Sequence, residues 1–154
     1  MKASERQITE HRQGKFVIST DRDRLDRDAV HGFLTESYWA LEVVLRSIEN
    51  SLCFGVYGDG KEVGFARVIS DYATYAYIAD VFVLESYRGH GLGKWLMECI
   101  MHHPWLQGLR RWSLATMDAH GLYSKFRFTP LKTPERFMEL HNPEIYKRDK
   151  NLGG

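Results

Sequence analysis

The order of hydrophobic patterns predicts a mixed α/β (α+β) domain: a central twisted mixed sheet of six to seven strands, flanked by helices on both faces. Two observations carry this. Short runs rich in β-branched and aromatic residues are interspersed with stretches whose apolar residues recur at helical spacing. Twice the order runs strand, turn, helix, strand, which belongs to α/β architecture. A third observation sets the domain count. No internal repeat, low-complexity block or Pro/Gly/Ser linker interrupts the chain. One domain over residues 1–154 is expected, with a body of about 15–146 and frayed polar ends at 1–14 and 147–154.

Phe16-Val17-Ile18 reads as the first strand, stopped by Ser19-Thr20-Asp21, small polar residues suited to the start of a helix. Leu25, Ala29, Val30, Phe33 and Leu34 form one helical stripe, and Leu41, Val44, Leu45 and Ile48 a second. Thr35–Trp39 is the break between them. Leu52–Tyr57 and Glu62–Ser70 flank Gly58-Asp59-Gly60 as a β-hairpin. Thr74–Leu84 is a long strand, followed from Gly91 by a helix (Leu92, Trp95, Leu96, Cys99, Ile100) that ends near Pro104. Arg111–Thr116 is another strand and Asp118–Phe126 a short helix. Phe128–Leu131 and Phe137–Leu140 are expected as the last strands.

Composition excludes several classes. Of 154 residues, 44% are hydrophobic and 27% charged, ordinary globular values that argue against disorder or a fibre. The 21 basic and 20 acidic residues leave a net charge of +1, so no global field recruits nucleic acid or a membrane. Asp21, Asp23, Asp26 and Asp28 interleave Arg22, Arg24 and Arg27 and cancel their field. No apolar stretch approaches a membrane span, and the polar start lacks a secretory pattern, so a cytoplasmic protein is expected. Cys53 and Cys99 are read as core thiols, and the adjacent His102-His103 are expected at the surface. No metal site is implied.

The chemistry concentrates in Asp80-Val81-Phe82-Val83-Leu84-Glu85-Ser86-Tyr87-Arg88-Gly89-His90-Gly91-Leu92-Gly93-Lys94-Trp95. A β-rich run feeds three alternate glycines, and an amphipathic helix follows at once. Glycines let the backbone take positive φ and approach a ligand. A helix start offers unpaired N–H groups and a positive dipole end, favourable to a phosphate or pyrophosphate. Arg88, His90 and Lys94 surround it. A dinucleotide fingerprint would need Gly where Lys94 or Leu96 stands, and a P-loop would need Gly at Arg88 and Ser or Thr at Trp95. The motif that remains is R-x-x-G-x-G, at Arg88, Gly91 and Gly93.

With the strand before it, the helix after it and the downstream Tyr123-Ser124-Lys125-Phe126-Arg127-Phe128, this segment resembles the GNAT superfamily of acyl-CoA-dependent N-acetyltransferases. The element order agrees over about residues 15–140. The resemblance implies the GNAT fold, with a cleft between the Thr74–Leu84 and Arg111–Thr116 strands, and acetyl-CoA as acetyl donor. It implies that residues 88–94 bind the CoA pyrophosphate through main-chain N–H groups. Val81 would then offer its N–H to the thioester oxygen, and Val83 would hold the pantetheine amide beside Phe82. The implied reaction is direct attack of a primary amine on the thioester through a tetrahedral intermediate, with Tyr123 as the acid that protonates the departing CoA thiolate.

Two departures stand out: many relatives carry Asn where Asp118 stands and Gly where Arg127 stands. Asp80, a lone charge in an apolar strand, is a candidate general base, and equally a structural carboxylate paired with an arginine. Tyr38, Trp39 and Tyr77 are candidates for an aromatic acceptor pocket, whereas core packing explains Phe33 at least as well. The acceptor itself is not legible, because members share the cofactor half and differ in the rest. A catalytically silent acyl-CoA-binding sensor on the same fold is the alternative, and a homodimer paired through the last strands is compatible with either.

Overall fold

The computed structural model describes residues 7–34 and 41–145. Six strands form one sheet in chain order, β1 (Glu10–Gln13), β2 (Phe16–Ser19), β3 (Leu52–Gly58), β4 (Lys61–Ser70), β5 (Tyr75–Val83) and β6 (Arg111–Leu114). All neighbours are antiparallel except β5 and β6, which run parallel. Helices α1 (Arg27–Leu34) and α2 (Leu41–Glu49) lie between β2 and β3 in the chain. Helix α3 (Leu92–Met101) connects β5 to β6, and α4 (His120–Ser124) follows β6.

Strand β1 overturns the expectation of a frayed start. Glu10-His11-Arg12-Gln13 has no apolar residue, yet it pairs with β2 from Glu10↔Ser19 to Gln13↔Phe16. A charged sequence is how an edge strand discourages pairing with other chains, so hydrophobic pattern could not reveal it. At the far end the correction is opposite. Phe128–Leu131 and Phe137–Leu140 are not strands, and among the described residues the sheet has six members, the lower of the two expected numbers.

The β3–β4 hairpin closes as expected. Gly58 pairs with Lys61, and Asp59 and Gly60 take φ of 53° and 74°, the paired positive values that match the twist of a two-residue hairpin. Each face of the sheet then carries its own core. On one face Leu92, Leu96, Met97 and Ile100 of α3 pack against Phe54, Val56, Val68 and Ile78. On the other, Val30 of α1 and Val44 and Ile48 of α2 cover Cys53, Phe65 and Phe82. Asp26 caps α1, accepting from the Ala29 N–H at 3.0 Å. The Asp26 N–H in turn donates to Glu62 at 2.9 Å.

Both cysteines are buried and free, and burial pushes the Cys53 thiol up to about 12 and Cys99 to about 11. Of the histidine pair expected at the surface, only His102 is exposed. His103 is buried, with its ring edge-on to Phe54 and Nδ1 accepting the Trp105 N–H at 3.1 Å. Pro104 ends the helix at that point and turns His103 inward.

Candidate active site

Two features of β5 build the site. The first is a bulge. Pairing with β4 steps from Arg67↔Ala79 to Phe65↔Phe82, so Asp80 and Val81 together face Ala66. Asp80 takes φ 56°, and an extra residue of this kind bends a strand and re-aims its side chains. The second is the end of parallel pairing. Contacts with β6 run from Tyr75↔Arg111 to Ile78↔Leu114 and stop, while β5 continues to Val83. Beyond Ile78 the two strands no longer pair, leaving a notch in the sheet.

A cleft of about 540 Å³ occupies this notch. Tyr77, Asp80 and Val81 line it from β5, Arg67 from β4, and Thr116, Asp118 and Tyr123 from the far side. Residues far apart in sequence, Asp80 and Tyr123 among them, thus share one wall of space. Tyr123 is only 8% exposed, its ring edge-on to Phe128 at 6.1 Å. Burial, and then the negative charge of Asp118, raise its phenol above the ordinary 10. The hydroxyl therefore keeps its proton throughout the neutral range.

Asp80 is held by Arg67, whose Nε donates to Oδ2 at 2.8 Å, while Arg67 Nη1 donates to Ser51 Oγ at 3.1 Å. Their side chains are 31% and 15% exposed, so the pair sits at the cleft wall rather than in bulk water. The arginine partner anticipated for Asp80 is thus present. Sequence reading missed Arg67, although a single charge among Val63, Phe65, Ala66, Val68 and Ile69 was the available signal.

At the end of β5 the chain makes a 3-10 turn at Glu85–Tyr87 and enters α3 through the glycines. Gly89 and Gly91 take φ of 85° and 75°, and Gly91 is the left-handed residue that begins the helix. Such values exclude most side chains without strain, so both glycines are conformationally required. Gly93 is not: its backbone is helical, and a Cβ there would meet Leu122 at an ordinary 3.8 Å. The first hydrogen bond of the helix runs from Trp95 N–H to Gly91 O at 3.0 Å, so the N–H groups of Leu92, Gly93 and Lys94 precede the first acceptors. Arg88, Gly89, His90, Gly91 and Lys94 are exposed around them. Arg88 Nε donates back to Val83 O at 3.2 Å, and His90 Nδ1 lies 3.1 Å from Tyr87 O.

Among the other expected residues, Val83 is half-buried at the end of β5. Phe82 departs from its expected grouping: its side chain lies in the core beneath α1, stacked on Phe33 with centroids 3.7 Å apart. Alternation along β5 sends it to the face opposite the notch. Phe33 accordingly has a packing role, although it remains 47% exposed. Tyr38 and Trp39 lie outside the described residues. Among the described residues no group of three or more His, Cys, Asp or Glu is placed to hold a metal ion, and no helix is long and apolar enough to cross a membrane.

Comparison with known proteins agrees with this geometry. Residues 19–128 match the family described as "Acetyltransferase (GNAT) family". The chain is 30% identical over 140 residues to "Putative acetyltransferase FG08082" of Gibberella zeae, covering 73% of this chain and 78% of that protein. It is 52% identical, with a TM-score of 0.80, to a Xanthomonas campestris pv. campestris protein described as a "putative acetyltransferase belonging to the gnat family", covering 85% of this chain and 96% of that one. A Clostridium acetobutylicum protein described as a "predicted acetyltransferase with acetyl-CoA" shares the fold at a TM-score of 0.63 and 11% identity, over 88% of this chain and 96% of that one. The bulged, unpaired end of β5, the left-handed glycine entry to α3 and the match over 110 consecutive positions lead to one conclusion: this chain belongs to the GNAT family of acetyltransferases.

Proposed function

We propose that the protein transfers an acetyl group from acetyl-CoA to a primary amine by direct attack through a tetrahedral intermediate. The observation that carries the reading is the grouping of three features around the end of β5: the notch beside Val81, the N–H groups that open α3, and Tyr123 across the cleft. That a Clostridium acetobutylicum protein of this fold is described as being with acetyl-CoA supports the choice of donor.

In this reading the backbone at residues 88–94 binds the CoA pyrophosphate, where N–H groups and the helix dipole favour an anion. The pantetheine arm adds to the unpaired edge of β5 like an extra strand, with Val83 as its amide partner. Val81 N–H is aimed at the thioester oxygen, where a fixed donor contributes about 3 kcal/mol to an acyl transfer once negative charge develops. The amine nitrogen attacks the carbonyl carbon, the C–S bond breaks as the intermediate collapses, and Tyr123 gives its proton to the departing thiolate. Asp80 uses one of its carboxylate lone pairs on Arg67 Nε and has others to receive the acceptor ammonium or its proton. Tyr77 forms the neighbouring part of the acceptor wall.

Titration calorimetry with acetyl-CoA, followed by a screen of amines reading free thiol, tests this. Saturable heat and amine-dependent thiol release are expected. Absence of heat removes the donor assignment, and heat without thiol release from any amine class leaves an acyl-CoA-binding module instead.

A further inference from the structure

Arg67 has more hydrogen-bonding capacity than the protein uses. A guanidinium carries five N–H donors in one plane. Here Nε donates to Asp80 Oδ2 at 2.8 Å and Nη1 to Ser51 Oγ at 3.1 Å. Ser51 is buried and fixed in turn, its hydroxyl donating to Ser47 O at 2.7 Å and its carbonyl accepting from Arg22 Nη2 at 3.1 Å. The guanidinium plane is thus held from two sides, while among the described residues no acceptor meets Arg67 Nη2. The side chain is 15% exposed and lines the cleft. A fixed, largely desolvated guanidinium with donors to spare suits a carboxylate.

The sheet separates this group from the entry to α3. Arg67 pairs with Cys53, which lies in the core beneath α1 and α2, whereas the adjacent Ala66 and Val68 belong to the core beneath α3. Tyr77 shares the face of Arg67, since it lies two residues before Ala79, the β5 partner of Arg67. The cleft therefore has, on the side away from the N–H groups that open α3, a carboxylate, a guanidinium with free donors and an aromatic ring. The other charge lining the cleft, Asp118, is exposed, and solvent screens it.

We propose that the acceptor is a free α-amino acid, its ammonium against Asp80 and its carboxylate on Arg67 Nη2. This rests on the acetyl-transfer reading and narrows it. The two charges of such a molecule are a few bonds apart, as are the Asp80 carboxylate and the guanidinium in contact with it. Tyr77 offers the side chain an aromatic wall. In the transfer the N–C bond forms and the C–S bond breaks. Of the two protons the ammonium sheds, one leaves through Asp80 to water and the other replaces the proton that Tyr123 gives to the thiolate. The product keeps its carboxylate and loses its positive charge, so Asp80 no longer attracts it.

Free-thiol release at saturating acetyl-CoA tests this, with a panel of primary α-amino acids each compared with its amide and its decarboxylated amine. The members of each set share amine and side chain and differ in the carboxylate. At least one amino acid is expected to show kcat/KM about 10-fold or more above both analogues. Arg67→Lys keeps a cation beside Asp80 and removes the planar donor array. It is expected to shrink that preference several-fold through the KM of the amino acid, with the calorimetric Kd of acetyl-CoA unchanged. Thiol release from amides or decarboxylated amines as fast as from amino acids would overturn the proposal and leave acetyl transfer standing. A preference that survives Arg67→Lys in full would overturn it as well. Silence from every acceptor removes the acetyl-transfer reading and the proposal with it.

Discussion

Individual residues carry the sharpest expectations. Replacing Tyr123 by Phe keeps the ring against Phe128 and removes only the proton donor. Turnover is expected to fall about 100-fold or more, the usual range for losing a general acid, while calorimetric affinity for acetyl-CoA stays the same. Equal turnover would take Tyr123 out of the acid role. Arg127 shows a different effect. It takes φ 71°, a left-handed backbone just after α4 that glycine adopts without strain. An L side chain there costs roughly 1–2 kcal/mol, and Gly gives back roughly 0.5–1 through the unfolded chain. Arg127→Gly is therefore expected to stabilise by roughly 0.5–1 kcal/mol, read from the urea midpoint. Asp80 was legible as an out-of-place charge, but its partnership with Arg67 was not, because 13 residues and a bulge separate the two.

At the scale of elements, the N-terminus of α1 rests on Glu62. Its Oε1 accepts the Asp26 N–H, and Oε2 is buried without a hydrogen-bond partner among the described residues. Burial raises this carboxyl from the ordinary 4.5 to about 7, the nearby Asp26 charge adds to the rise, and the Asp26 N–H opposes it. Because the folded value lies above the unfolded one, the folded state binds the proton more tightly. Its contribution to stability is complete below pH about 4.5 and is lost as pH rises through about 7. Glu62→Gln keeps an acceptor for Asp26 and cannot ionise. Between pH 4.5 and 7 its melting temperature is expected to fall less with rising pH than that of the wild type; parallel profiles would show that Glu62 is not the titrating group. Helices and central strands were readable from periodicity since each buries one apolar stripe. Strand β1 was not, because an edge strand made of Glu, His, Arg and Gln buries nothing by itself.

For the molecule as a whole, a ligand that spans β5, α3 and α4 couples those elements. Acetyl-CoA at 100 times its dissociation constant is expected to stabilise the fold by about 2.7 kcal/mol. For a domain of this size that raises the melting temperature by roughly 5–10 °C. Gly91→Ala, strained at φ 75°, is expected to lower both the starting melting temperature and the size of that rise. An unchanged rise would place the donor away from the α3 entry. By itself the sequence determined the order of elements from β2 to α4, the hairpin at Asp59-Gly60 and the glycine entry to α3. These depend on local periodicity and on φ values that few residues tolerate, so they are written within a few neighbouring positions. Only the tertiary structure decided where β5 parts from β6, that Arg67 and Asp80 meet, that Phe82 faces the core, and that Met138 and Leu140 are left uncovered. Those depend on register between strands distant in the chain, and a register is fixed by both partners at once.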